Sequence, residues 1–329
     1  MRARVMVLGA TGTIGRATVR ALVARGHEVV CLIRSPRPID VAPGKEDPAA
    51  ALTGATLRVG DVTDPASLAR DGFRGERFDV LVSCLASRTG VPSDAWAIDH
   101  SATVAAIEAA QAVGVGHVVL LSAICVQKPL LAFQQAKLAA EQALIASGLR
   151  YSIVRPTAFF KSVSGQVQRV RDGKPYLLFG DGRLTACTPI SDADLGEFIA
   201  GCITDTTRHD RILPIGGPGP AMTPREQAEA LFRLLGREPR LRQVPVALMT
   251  LIVAVLGTLG RVFPRFAAAA ELARIGRYYA TESMLVMDPV TGRYEASLTP
   301  STGSERLIDY HAALLRGEAS LDRGEHAVF

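Results

Sequence analysis

Paired cysteines are the first thing this chain lacks. Its 329 residues hold five, Cys31, Cys84, Cys125, Cys187 and Cys202, and no two form a CxxC pair. Most lie in apolar runs, which points to reduced, buried thiols in a cytoplasmic protein and away from a disulfide framework, a structural zinc or an iron–sulfur cluster. No HExxH or similar histidine spacing occurs, so no metal is expected. Concentrated charge of one sign is missing too. Lys and Arg number 37 against 32 Asp and Glu, and the net +5 is scattered rather than blocked. That balance argues against nucleic acid and suits an anionic small molecule or a membrane surface. The opening MRARVMVLGATG has too short an apolar run for a signal peptide and turns directly into a glycine loop, as a strand does. There is no internal repeat.

What is present is a sizeable core. Apolar residues make up 48% and charged residues 21%, enough for two compact domains or one α/β domain with an appendage. Short β-branched runs recur: RVMVLG from residue 4, HEVVCLIR from 27, TLRVGDVTD from 56, FDVLVSCLAS from 78, GHVVLLSAI from 116 and YSIVRPTAF from 151. Helical patterns, including 95–113 and 133–147, run between them. Strands alternating with helices at this spacing predict an α/β fold with a doubly wound parallel sheet, a Rossmann core. TACTPISDADLGEFIAGCI and RILPIGGPG read as one more strand–helix–strand passage. The core is therefore expected over 1–156 with 185–216 returning to it. A smaller substrate-facing subdomain is expected over 157–184 and 217–318, with a frayed tail at 319–329.

Gly9-Ala10-Thr11-Gly12-Thr13-Ile14-Gly15 stands between the first strand and the first helix. Glycines there let backbone turn tightly and approach a pyrophosphate, whose charge the helix N-terminus meets. The second strand then ends at Arg34, with Ser35 and Arg37 following and no acid before Asp40. A guanidinium suits a 2′-phosphate where an acid would suit a ribose 2′-hydroxyl, so the expected cofactor is NADPH, with Ser35 a further donor. Topology places Asp61 and Val62 by the adenine, and Cys84, Leu85 and Ala86 along the cofactor cleft.

The order of glycine loop, GDVTD, LLSAI and a lysine-bearing helix resembles the short-chain dehydrogenase/reductase superfamily. That resemblance implies a serine near Ser122 and a tyrosine–lysine pair four apart, the lysine holding the nicotinamide ribose and lowering the tyrosine pKa. Lys137 matches the lysine, but Phe133 stands where the tyrosine belongs. A phenylalanine cannot transfer a proton. The pattern is similar to the atypical, NmrA-like branch, which includes both reductases of conjugated C=C bonds and non-enzymatic dinucleotide sensors.

Longer runs, SCLASRTG, LLSAICVQKPLLAFQQAK, YSIVRPTAFFKS, DGKPYLLFGDG, LPIGGPGPAMTPREQAE and RIGRYYATESMLVMDP, resemble the 8-vinyl-reductase family of (bacterio)chlorophyll synthesis over residues 4–310. The resemblance implies NADPH-dependent reduction of a vinyl group on divinyl chlorophyllide or protochlorophyllide, a magnesium-porphyrin-type pigment. Another ene-reductase of the branch and a dinucleotide-binding regulator are the alternatives. On this reading Pro156 belongs with the cofactor residues. Lys161, Tyr278, Tyr279 and bound water are candidate proton donors. Phe133, Phe159, Phe160, Arg274, Arg277, Tyr278 and Tyr279 are candidate pigment contacts. The uncharged run Val244–Gly260 admits three readings: a buried helix or pocket wall, a membrane-surface contact, or a span.

Overall fold

A computed structural model describes residues 2–34, 52–263 and 266–319. The chain divides into two compact units. One gathers Met1–Ser87, Pro92–Pro156 and Asp192–Leu213; the other gathers Arg88–Val91, Thr157–Ser191 and Pro214–Phe329.

The first unit is built on β1 (Arg4–Leu8), β2 (Glu28–Ile33), β3 (Thr56–Val59), β4 (Val80–Ser83), β5 (His117–Leu121) and β6 (Arg150–Pro156). Two later strands are β7 (Tyr176–Phe179), which pairs elsewhere, and β8 (Arg211–Ile215), which joins this sheet. Among the described residues the sheet has seven strands in the order β3-β2-β1-β4-β5-β6-β8. The ladders from β3 through β6 are parallel. Strand order reverses between β1 and β4, which opens a crevice at their carboxyl ends. β1 and β5 are continuous apolar runs because both of their faces are covered. The covering helices are α1 (Thr13–Ala24), α2 (Thr103–Ala112), α3 (Ala132–Ala146) and α4 (Asp192–Gly201). Met6, Leu8, Leu32, Phe73, Phe78, Leu81, Leu144 and Ile153 share one buried cluster. Each such side chain contributes about 1.5–3 kcal/mol by leaving water.

The expected single helix over 95–113 is three pieces. Pro92–Ala95 leads into Trp96–Ala102, wound wider with i→i+5 spacing, before α2 begins. Insertions of this kind re-aim the side chains on the turn, and Asp99 lies on it.

In the second unit, β7 pairs in parallel with β9 (Leu241–Val244). α5 (Pro224–Leu234) starts with a capping box: Thr223 Oγ1 accepts from the Glu226 amide at 3.3 Å, and the Glu226 carboxylate accepts from the Thr223 amide at 2.7 Å. α6 (Val246–Val262), α7 (Ala267–Thr281) and α8 (Leu307–Arg316) follow. Val170, Tyr176, Leu178, Leu231, Phe232 and Leu314 form this unit's core. The strand expected at 185–190 is absent. Cys187 and Ile190 make only isolated bridges, since Pro189 has no amide to give a ladder.

α6 is neither a buried helix nor a span, which leaves the pocket-wall and membrane-surface readings of 244–260. None of its described side chains is buried, so it is no core helix. Among the described residues no helix is long and apolar enough to cross a membrane.

Candidate functional site

The glycine loop is shaped by contact with β4. Gly9 has φ +73°, and a Cβ there would lie 2.5 Å from the Cys84 carbonyl oxygen. A Cβ on Gly15 would lie 2.1 Å from the Gly9 carbonyl oxygen. Side chains at either position would push the loop off the sheet. The Gly12 amide donates to the Gly9 carbonyl at 3.1 Å, closing the turn. Gly12 then caps α1 without a side-chain hydrogen bond, and no acid occupies the helix's first turn. Thr11 and Gly12 are exposed, Thr13 is half-buried and Ile14 is buried. Uncapped amides and the positive end of the helix dipole fit a pyrophosphate.

Arg34 ends β2 and is exposed. Asp61 follows β3; its Oδ1 accepts from the Thr63 amide at 2.9 Å and the Thr63 hydroxyl at 2.7 Å. Those bonds, with the charge of Arg34 adding, hold the Asp61 carboxyl below the usual carboxylate range. Val62 is half-buried beside it. Ser35 lies outside the described residues. Cys84 and Leu85 are buried and Ala86 is exposed. Burial pushes the Cys84 thiol up to about 12, so it is an unreactive group.

Phe133 and Lys137 lie four apart on α3, both half-buried. Lys137 Nζ is 2.9 Å from Asp99 Oδ1 and donates to the Leu85 carbonyl at 3.4 Å. The Asp99 side chain is fully buried and also accepts from the Ser87 amide at 3.2 Å. Its second oxygen, Oδ2, has no hydrogen-bond partner. Lys137 is thus anchored at the carboxyl ends of the sheet by a desolvated carboxylate. Asp99 escaped the sequence reading. Its signal was the one acid between Ala95 and Ile107, which beside His100 and Ser101 reads as a solvated helix face until the wide turn is seen.

Ser122 lies at the end of β5, and its hydroxyl donates to Glu141 Oε1. Glu141 is buried on α3 and pairs with Arg155 of β6, whose Nε is 3.0 Å from Oε1. This trio, with Ser122 and Glu141 buried and Arg155 half-buried, ties two strand ends to the lysine-bearing helix. Glu141 and Arg155 were likewise not expected at the site. Pro156 is buried at the end of β6.

The remaining candidates lie in the second unit. Phe159 is half-buried and precedes the short helix Phe160–Val163. Phe160 is buried with its ring 5.6 Å from that of Tyr310. Lys161 is half-buried. On α7, Arg274 Nη1 pairs with Glu271 at 2.8 Å. Arg277 and Tyr279 are exposed, while Tyr278 is buried and meets Tyr279 edge-on at 5.7 Å.

Residues 9–206 match the model of a family described as NAD(P)H-binding. Over 331 aligned residues the chain is 50% identical to the chloroplastic divinyl chlorophyllide a 8-vinyl-reductase of Oryza sativa subsp. indica, covering 99% of this chain and 82% of that one. The chain belongs to the divinyl chlorophyllide a 8-vinyl-reductase family. The 8-vinyl-reductase of Zea mays is 49% identical over 99% of this chain and 82% of its own. Among solved structures, an NADPH-dependent quinone oxidoreductase from Escherichia coli shares the fold at 18% identity and TM-score 0.66, covering 94% of this chain and 99% of that chain. In this member of the 8-vinyl-reductase family a lysine stands at 137 and a phenylalanine four residues earlier at 133.

Proposed function

We propose that the protein uses NADPH to reduce the 8-vinyl group of divinyl chlorophyllide or divinyl protochlorophyllide to an ethyl group. The carrying observation is 50% identity along 99% of the chain to a reductase of that name. The site chemistry supports it independently. When bound, NADPH supplies a hydride to the vinyl group, and a proton completes the ethyl. Conjugation through the macrocycle disperses the negative charge, which relaxes the need for a strong acid at the reacting carbon. A ketone substrate would instead develop a localised oxyanion that needs a donor. Phenylalanine at 133 fits the first chemistry and not the second.

The loop Gly9–Gly15 and the amides of α1 hold the pyrophosphate. Arg34, with Ser35 beyond it, takes the 2′-phosphate, and Asp61 and Val62 flank the adenine. Cys84, Leu85, Ala86, Ser122 and Pro156 line the nicotinamide end, and Lys137 holds the ribose in the orientation that Asp99 gives it. The second unit supplies the pigment contacts. Phe159, Arg277 and Tyr279 are its pigment candidates, with Phe160 and Tyr278 in supporting roles because both are buried; in the first unit Phe133 is the candidate. Arg274 reaches the carboxylate of the pigment's propionate side chain only by exchanging Glu271 for it. Lys161, Tyr279 or a bound water returns the proton. A flat apolar pigment partitions into bilayers, and peripheral contact with a membrane surface is part of the reading.

Stoichiometry tests it. One NADPH consumed per pigment, with a product heavier by two hydrogens, is expected. NADPH oxidation without pigment conversion would sink the assignment.

A further inference from the structure

α6 turns an apolar stripe outward. Leu248, Leu251, Ile252 and Val255 are 45%, 59%, 36% and 48% exposed, and their i, i+3, i+4, i+7 spacing sets them on one helix face. Phe263 extends the patch past the helix end at 46%. At the other end, Leu184, 54% exposed, and Val246 both lie against Gly180. Among its 17 residues only Arg261 is charged.

The flanks say what covers this face. From residue 240 to residue 270 the sequence contains Arg240, Arg242, Arg261 and Arg265 and no aspartate or glutamate. Arg240, Arg242 and Arg261 are exposed. A second copy of the chain laid on the stripe would bring the same cations and no compensating acid. An anionic lipid surface complements the pattern: headgroup phosphates meet the arginines while the stripe enters the boundary with the acyl chains. A helix of 17 residues is about 26 Å long, short of the ~30 Å hydrocarbon core, so it lies along the surface.

We propose that α6, with its arginine flanks, is the interfacial anchor by which this protein docks on anionic lipid. This rests on the peripheral-membrane part of the proposed function and names the element that makes the contact. The pigment's apolar ring would then be met where it is dissolved.

The test is flotation of the full chain with phosphatidylcholine vesicles, with and without phosphatidylglycerol. The variants are the pair Leu251→Glu, Val255→Glu and the milder pair Leu251→Ala, Val255→Ala. Both sites are exposed, and NADPH binding with an unchanged thermal midpoint checks that the fold is intact. The wild type is expected to float with the anionic vesicles. The glutamate pair should weaken that binding by about tenfold or more, and omission of phosphatidylglycerol by a similar factor. Failure of the wild type to bind any vesicle overturns the membrane reading itself. Binding that the glutamate pair leaves undiminished overturns only the assignment to α6. A wild-type dimer that the glutamate pair dissociates, with no vesicle binding, gives the face to a second copy and overturns the proposal.

Discussion

Lys137 Nζ lies 2.9 Å from Asp99 Oδ1, and that carboxylate is fully removed from water. The lysine that the superfamily pattern singles out is therefore half of a buried ion pair whose other half comes from a distorted turn. Desolvated pairs contribute little net stability, but breaking one leaves an uncompensated charge. Lys137→Ala should lower unfolding stability by about 3–5 kcal/mol. Lys137→Met combined with Asp99→Asn should restore a good part of it. A double-mutant cycle in urea checks this, and a coupling below about 0.5 kcal/mol would show the pair to be unimportant.

Cofactor choice is expected to rest on Arg34. Replacing it with aspartate removes a charged, bidentate partner for a 2′-phosphate. The Michaelis constant for NADPH should rise roughly 10- to 100-fold, the equivalent of one charge-assisted hydrogen-bonded contact. The constant for NADH should stay level or fall. Equal changes for both cofactors would place the 2′-phosphate elsewhere.

Phe133 is expected to act as a surface for the macrocycle. Phe133→Ala should raise the Michaelis constant for the pigment by about tenfold, from lost ring contact, with little change in NADPH affinity. Phe133→Tyr restores a phenol four residues before Lys137 and should leave vinyl reduction in place. Gain of ketone reductase activity in that variant, assayed with a simple carbonyl substrate, would support the geometry. An unchanged Michaelis constant for the pigment in Phe133→Ala would count against a contact role at 133.

Acid should destabilise both units. Burial pushes the His117 imidazole down to about 4, with the charges of His209 and Arg150 adding, and burial alone brings His311 to about 4. Both histidines fold in the neutral form. Their contribution is fully present above the ordinary value near 6.5 and is lost as pH falls toward 4. Each is worth up to about 3 kcal/mol over that window. Urea midpoints measured at steps from pH 7.5 to 4.5 should fall, and His117→Gln, which can keep a hydrogen bond to Ser152, should flatten the slope.

Much of this was legible in the residues. β1, the glycine loop and α3 announce themselves because backbone geometry demands particular residue types there. A buried parallel strand must be apolar on both faces, and Gly9 and Gly15 leave no room for a Cβ. The unforeseen parts share one cause. Asp99, Glu141 and Arg155 are charged residues in helices or strands, which on sequence alone read as solvated faces. Only the wide turn at Trp96–Ala102 and the convergence of β5, β6 and α3 bring them inside. α6 shows the converse. Periodicity reports that a run is apolar but not whether protein covers it, so exposure of Leu251 and Val255 appears only in the fold.

A chain with Lys137 but no phenol at 133 is expected to reduce a conjugated vinyl group all the same. The direct measurement is an absorbance assay with purified protein, NADPH and divinyl chlorophyllide or its protochlorophyllide counterpart. Loss of one vinyl group from conjugation should shift the Soret band to shorter wavelength as NADPH is consumed, with both changes abolished by Lys137→Ala at saturating pigment. Tight NADPH binding with an unmoved Soret band for both pigments would contradict the account and mark the chain as a dinucleotide-binding regulator.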